Sequence, residues 1–424
     1  MTTGLASRRA ALEALRRVEE EGAYSTLVVP DAVADLDTAQ DRAFASHLAY
    51  DTLRWEGTLD WMLGVVVDRP LGQVEPALRR ILRLGALQLH RTDVPDHAVV
   101  STAAQLAREA VPGRRAKGAA GFVNGVLRGL ARTELPWPDS SDDPTTHLVL
   151  TTAHPAWIVS ELVDRFGVDR AEAILTADND PPGLTLRASG DRGELIDELR
   201  RDGIDAEPGT HAPEAVLAPG ADPRRLSAVQ EGRATPQDEA SMLVSRSAGV
   251  APRERILDLC AGPGGKATHL AQLGGTVTAV EINPRRAALI EEAAARLGLA
   301  VDVLVGDGTD PPVDGSFDVV LVDAPCTGLG TGRRRPEVRW RRSPADLDTL
   351  VPLQTRLLDA ASALVAPGGR LVYSVCTWTA AETTGVARPL ASRHPELTLG
   401  EERQLLPDVD GTDGMFIARW ERSP

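Results

Sequence analysis

A chain of 424 residues has room for two or three domains, and 42% apolar with 25% charged side chains is the ordinary balance of a globular protein. A net charge of −15 excludes a wholesale nucleic-acid binder while leaving room for a local one. No stretch approaches the roughly 18 apolar residues of a membrane span, and charge interrupts the apolar positions of residues 1–22, so neither a span nor a secretory leader is expected and the expected location is the cytoplasm.

Residues 1–135 read as an all-α domain. "SRRAALEALRRVEEEG" puts Ala11, Leu15 and Val18 on one helical face, with Ser7 placed to cap the start and Gly22 to stop the chain. "EPALRRILRLGALQLH" repeats the pattern through Leu78, Ile81, Leu82, Gly85 and Leu89, and "GFVNGVLRGLART" through Phe122, Val126 and Leu130. Charge divides this region: residues 1–68 carry 6 basic and 12 acidic side chains, residues 69–135 carry 11 and 5.

Residues 136–147, rich in Pro, Ser and Asp, read as a linker. Residues 148–245 read as a small α+β extension, in which two prolines precede a short strand in "NDPPGLTLRAS". From 246 to 424 the pattern becomes short apolar runs separated by helical stretches, which implies an α/β domain with a Rossmann-like parallel sheet. The runs are "RILDLC", "TVTAVE", "VDVLVGD", "FDVVLVD" and "GRLVYSVC", with "GMFIARW" as one more strand.

The five runs deliver Cys260, Glu281, Asp307, Asp323 and Cys376 to their ends. In an open parallel sheet that edge is where ligands bind. Taken singly, a cysteine beside a strand is usually a small buried hydrophobe and a carboxylate a helix cap; five together are hard to obtain from packing alone. "LCAGPGGKATHL" (Cys260, Ala261, Gly262, Pro263, Gly264, Gly265, Lys266 and onward) lacks the Gly and Ser/Thr of a phosphate loop at 260 and 267, but Gly262, Gly264 and Ala267 fit G-x-G-x-x-G/A. Glu281 follows at the distance of a ribose-binding acid, so an adenosine-type cofactor is expected, either a dinucleotide or S-adenosylmethionine.

The cysteines are Cys260, Cys326 and Cys376, with neither a C-x-x-C nor a nearby histidine pair, so no disulfide framework and no metal site are expected. Carbon methylation of cytosine uses such thiols, because C5 attacks a methyl group only after a thiolate has added at C6. "CTWTAAE" has Thr379 and Glu382 at capping-box spacing, which predicts a helix start beside Cys376. "DAPC" carries Cys326 on a loop stiffened by Pro325, without the aromatic residue that exocyclic-nitrogen methylation would favour. A nucleotide-cofactor oxidoreductase with redox cysteines, or a non-catalytic RNA-binding or antitermination factor, would account for parts of this pattern.

At "DLCAGPGGK", "VDAPCTGLG" with its sequel "RRRPEVRW", and "YSVCT", the chain resembles the RsmB (Fmu/Sun) group of 16S ribosomal RNA cytosine-C5 methyltransferases. "PQDEAS" and "DGMFIARW" are similar to its flanking blocks, and "DRAFASHLAYDTLR" with "FVNGVLRGL" resembles the NusB-like RNA-binding domain such enzymes carry. The resemblance implies an S-adenosylmethionine-dependent enzyme with Cys376 as nucleophile, Cys326 assisting product release and Asp323 contacting the cytosine. Cys260–Lys266, Glu281, Asp307 and Asp323 would line the cofactor site. Three positions depart from the family pattern: Gly262 where alanine is usual, Glu281 where aspartate is common, and Val375 where threonine precedes the nucleophile. Residues 333–342, "RRRPEVRWRR", hold six arginines; Arg333, Arg334, Arg335 and Arg339 are expected to hold phosphates. Trp340 either stacks on a base or anchors its loop into the core. The basic half of the helical domain is a second candidate RNA contact.

Overall fold

Residues 4–424 are described by a computed structural model, and the packing of their elements divides the chain into two units. The first runs to Asn179 and includes Arg334–Arg341. Its helices Leu5–Glu20, Ser25–Ala32, Ala39–Arg54, Glu56–Val66, Pro76–Arg91, Asp96–Ala110 and Ala116–Leu130 bury a shared core that includes Leu15, Leu48, Leu63, Ile81, Leu82 and Leu127. Each leucine fully removed from water contributes roughly 2 kcal/mol. Gly85 permits close packing, since a Cβ there would lie 2.6 Å from Leu127 Cδ1. No strand occurs among the described residues of this unit. The first helix begins earlier than its sequence signal: Gly4, in the left-handed conformation, precedes Leu5, whereas Ser7 lies buried inside the helix with its Oγ donating to Asp41. Residues 136–147 are tied down by Trp137, whose ring packs on Trp61 at 4.6 Å, and by Asp143, which caps the helix Pro144–Thr151. The helices Ala156–Phe166 and Val168–Asp178 also cluster with this unit, so the segment 148–245 is divided between the two.

The second unit spans Asp180–Arg333 and Arg342–Pro424. A four-stranded antiparallel sheet opens it, formed by β1 (Leu184–Ala188), β2 (Glu207–Pro208), β3 (Ala215–Ala218) and β4 (Ala234–Pro236) in the order β2-β3-β1-β4. Leu195, Ile196 and Leu199 of the helix Arg192–Arg201 share its core with Leu186 and Val216.

A seven-stranded sheet follows: β5 (Arg255–Leu259), β6 (Thr276–Glu281), β7 (Val301–Val305), β8 (Phe317–Asp323), β9 (Val365–Val375), β10 (Leu397–Leu405) and β11 (Met415–Arg422). Its order is β10-β11-β9-β8-β5-β6-β7, parallel from β9 to β7 and antiparallel at β11 and β10. The central strands are covered on both faces, which is why Val319–Val322 are apolar without a break and fully buried. Strand order reverses between β5 and β8, opening a crevice at their carboxyl ends. The strand of this sheet absent from the sequence expectation is β10, whose Glu401, Glu402 and Arg403 are the charges an edge strand carries; β2, β3 and β4 of the small sheet are likewise absent from it.

Candidate active site at the carboxyl edge of the sheet

β8 and β9 are adjacent and in register with Asp323 opposite Ser374, so the residues after each strand leave the sheet side by side. Ala324 N–H donates to Ser374 O at 3.0 Å, and Gly330 N–H donates to Cys376 O at 3.0 Å. Between these two ties the sulfur atoms of Cys326 and Cys376 lie 3.4 Å apart. Asp323 sits beside them: its Oδ2 accepts from Lys266 Nζ at 2.7 Å and its Oδ1 from Ser374 Oγ at 2.7 Å. Lys266 starts the helix Gly265–Gln272, so the glycine loop after β5 and the two thiol loops converge on one carboxylate.

The sequence signal beside Cys376 has a different use from the one expected. Residues 377–379 are irregular and 380–383 form a turn, and the helix after it covers only Thr384–Ala387. Thr379 and Glu382 are fully buried. Glu382 Oε1 accepts from Thr327 N–H at 2.8 Å and Gln354 Nε2 at 3.0 Å; its Oε2 accepts from Thr327 Oγ1 at 2.6 Å and Thr379 Oγ1 at 2.9 Å. The carboxylate therefore joins the residue after Cys326 to the loop after Cys376. From the other side Arg342 Nε donates to Thr327 O at 2.8 Å. Thr327, Ser374, Glu382 and Arg342 were not singled out for this work by sequence, because their partners lie on loops far away in the chain.

The two thiols share one hydrogen bond, in which either sulfur can donate. Cys326 is pushed well above the ordinary thiol value, first by that bond with Cys376 and then by burial, so it holds its proton. Burial would lower Lys266, but Asp323 and then Cys376 outweigh it and its pKa is raised, so a fixed positive charge faces this pair. Cys260 is pushed up to about 12 by burial and then by Asp258, and stays a thiol. Asp258, inside β5, is raised well above the usual carboxyl range by burial and then by Asp323, and neither of its oxygens has a hydrogen-bond partner.

The glycine loop bends sharply: Cys260 has φ 62° and Gly264 φ 104°, and a Cβ on Gly264 would lie 3.0 Å from Ile290 Cα. Glu281 is buried and faces the loop, with Oε2 accepting from Gly262 N–H at 3.0 Å and Oε1 from Asn283 N–H at 3.0 Å. Asp307 stands apart from these carboxylates. It is exposed and accepts from Thr309, which holds it below the usual carboxyl range; the chain reaches the loop through Gly308, whose Cβ position lies 3.6 Å from Cys260 Sγ.

The profile of the family described as 16S rRNA methyltransferase RsmB/F matches residues 249–421, that of the NusB family residues 5–132, and that of an RsmF/B-like ferredoxin-like domain residues 154–221. A putative methyltransferase of Mycobacterium tuberculosis is 43% identical, with 98% of this chain and 96% of that protein covered. A probable ribosomal RNA small subunit methyltransferase B of Bacillus subtilis is 36% identical, with 97% of each chain covered. The chain belongs to the RsmB/F family of 16S rRNA methyltransferases. The solved structure of PH0851 is similar across 100% of both chains, with 25% identity and a TM-score of 0.87.

As an RsmB/F protein it is an S-adenosylmethionine-dependent rRNA methyltransferase, and RNA is its substrate. The redox and non-catalytic readings fall away. The residues fit the methyl donor: the buried Glu281 is held against the glycine loop by Gly262 N–H at the distance from β5 expected of a ribose-binding acid, and Ile282, next to it, is an exposed apolar side chain suited to an adenine ring. Two of the departures from the family pattern explain each other. A Cβ on Gly262 would lie 2.6 Å from Glu281 Oε2, so the longer acid and the missing methyl occupy the same space. At the third, Val375 packs in the core, and Thr377 supplies a hydroxyl that meets Thr327 Oγ1 at 2.9 Å.

The arginine-rich segment is corrected in part. Arg339 is fully buried and donates to Asp178 Oδ2 at 2.6 Å, and the buried Arg333 donates from Nε to Asp180 O at 2.9 Å, so neither presents its guanidinium to a phosphate. Trp340 is an anchor: its Nε1 donates to Leu53 O at 2.6 Å and its ring abuts Gly57. Arg335 remains exposed over the Tyr24 ring, and Arg334 is half-buried.

Proposed function

We propose that this enzyme methylates C5 of a cytosine in 16S rRNA through a covalent bond between Cys376 and C6 of the base. The observation that carries the reading is the 3.4 Å approach of two sulfurs beside Asp323, in a site facing the cofactor loop. Cys376, within hydrogen-bond reach of Cys326 and close to the Lys266 charge, is the one assigned as thiolate. Its sulfur forms a bond to C6, the C5–C6 π electrons move to C5, and Asp323 steadies the ring at N3. S-adenosylmethionine, when bound, supplies the electrophilic methyl group. A water molecule then takes the C5 proton, the C5–H electrons restore the C5–C6 double bond, and the C6–S bond breaks to return the Cys376 thiolate, with Cys326 assisting this release.

In the cofactor site, Cys260–Lys266 and Asp323 would line the methionine portion, Glu281 the ribose hydroxyls, Ile282 the adenine ring and Asp307 the rim. Arg334 and Arg335 would meet phosphates. The name of the Bacillus subtilis relative supports the small subunit as substrate. Bisulfite sequencing of total RNA from a deletion strain beside its parent tests the proposal. One 5-methylcytosine should vanish from 16S rRNA; an unchanged map rejects the proposal.

A further inference from the structure

The cations of the helical unit fall into two groups. Most are neutralised or covered: Arg9 pairs with Glu109, Arg80 with Glu19 and Arg83 with Asp60, while Arg69 and Arg91 lie over the rings of Phe122 and Trp55. The second group gathers where the basic surplus of residues 69–135 lies. Arg108, Arg114, Lys117, Arg128 and Arg132 are exposed, and none meets an acidic partner among the described residues. Three of them, Arg108, Arg128 and Arg132, line a cavity of about 500 Å³ between the helices Asp96–Ala110 and Ala116–Leu130, together with His97, Ser101 and Asn124; Asp96 is its acidic member.

Beside the cavity lining, the second helix is bare. Gly118, Gly121 and Gly125 precede Arg128 at spacings of three and four, which puts these four on one face of the helix, and Arg132 follows in the turn just beyond its end at Leu130. A Cβ on any of these glycines would meet nothing within 4 Å, so no packing inside the chain requires glycine there. Glycine is a poor helix former, and a smooth strip ending in two guanidinium groups suits a ligand that must come close to the helix.

We propose that this cleft seats the sugar–phosphate backbone of the RNA substrate, an inference that rests on the RNA-methyltransferase reading. Guanidinium forks match phosphate oxygens, Ser101 and Asn124 suit 2′-hydroxyl groups, and the absent side chains admit the backbone. A protein partner is the poorer fit: such interfaces are centred on aromatic and apolar anchors, and no large hydrophobic side chain is exposed between residues 96 and 132.

The test uses the full chain and a labelled transcript of small-subunit rRNA, with binding measured across a salt series. Charge reversal at Arg108, Arg128 and Arg132 together should weaken binding at least about tenfold near physiological salt and flatten the log–log salt slope by about 2, at roughly 0.7 per lost phosphate contact. Under the same conditions KM for the transcript should rise while kcat stays within about twofold of wild type. A second variant, Gly125→Leu, should keep or raise the thermal midpoint of the helical unit yet lower RNA affinity; it decides the matter if the triple variant fails to fold. Wild-type affinity and salt slope in both variants, the result if the cleft binds a protein, overturns the proposal. A wild-type chain that binds the transcript in this cleft but forms no 5-methylcytosine sinks the proposed function and leaves the cleft assignment standing.

Discussion

Glu382 is the residue whose loss the structure expects to be most informative. Four donors converge on its carboxylate: Thr327 N–H, Thr327 Oγ1, Thr379 Oγ1 and Gln354 Nε2. In Glu382→Ala the two hydroxyls can rotate, and Gln354 keeps Pro325 O at 2.9 Å, but the Thr327 N–H has no substitute acceptor. One orphaned buried donor and the loss of two or three further bonds sum to a destabilisation of roughly 3–5 kcal/mol. Glu382→Gln keeps the volume and one good acceptor but turns an amide N–H₂ toward hydroxyls, so about 1–2 kcal/mol is expected. The consequence for chemistry exceeds that for stability, because Thr327 sets the Cys326 loop against Cys376. A misplacement of about 1 Å costs on the order of 100-fold in rate. Urea unfolding of the catalytic unit, followed by its near-ultraviolet signal, gives the first quantity and single-turnover methyl transfer the second. A Glu382→Gln protein that is folded, binds RNA normally and transfers methyl at the wild-type rate would refute the positioning argument. So would Glu382→Ala with a stability loss under about 1 kcal/mol.

Gly262→Ala should weaken S-adenosylmethionine binding by about tenfold, or 1.4 kcal/mol, by displacing Glu281, and adding Glu281→Asp should restore most of it; calorimetric titration of the four proteins checks the cycle, and additive losses contradict it. Asp258 provides a pH test. Its folded-state pKa is raised, so its contribution to stability is complete below the unfolded carboxyl value near pH 4 and is lost as pH rises toward the folded value, at about 1.4 kcal/mol per unit. Asp258→Asn cannot titrate, so its stability relative to wild type should grow between pH 4 and neutrality; a difference independent of pH excludes a buried neutral acid.

The apolar run Val319–Val322, and Ile256–Leu259 broken only by Asp258, could be read as central strands because both faces of a parallel sheet are covered, and their ends pointed to the candidate site. β10 escaped notice for the opposite reason, since an edge strand keeps charge on its open face. Thr379 and Glu382 stand at capping-box spacing, yet Glu382 is claimed by Thr327, 55 residues earlier, and local spacing carries no trace of such a partner. Likewise, residues 333–342 show six arginines but not that Asp178 waits for Arg339 or that Leu53 O takes the indole of Trp340. Residue chemistry asks for two thiols near a methyl donor; the choice of Cys376 as attacker rests on family resemblance, and the hydrogen bond between the two sulfurs, in which either can donate, does not distinguish them.

The central claim is that the two thiols divide attack from release. The most direct measurement is a denaturing gel of each cysteine variant incubated with radiolabelled 16S rRNA and S-adenosylmethionine. Cys326→Ala should trap a protein–RNA adduct that survives denaturation, and Cys376→Ala should form none. Adduct formation that persists without Cys376 and disappears without Cys326 would contradict the account.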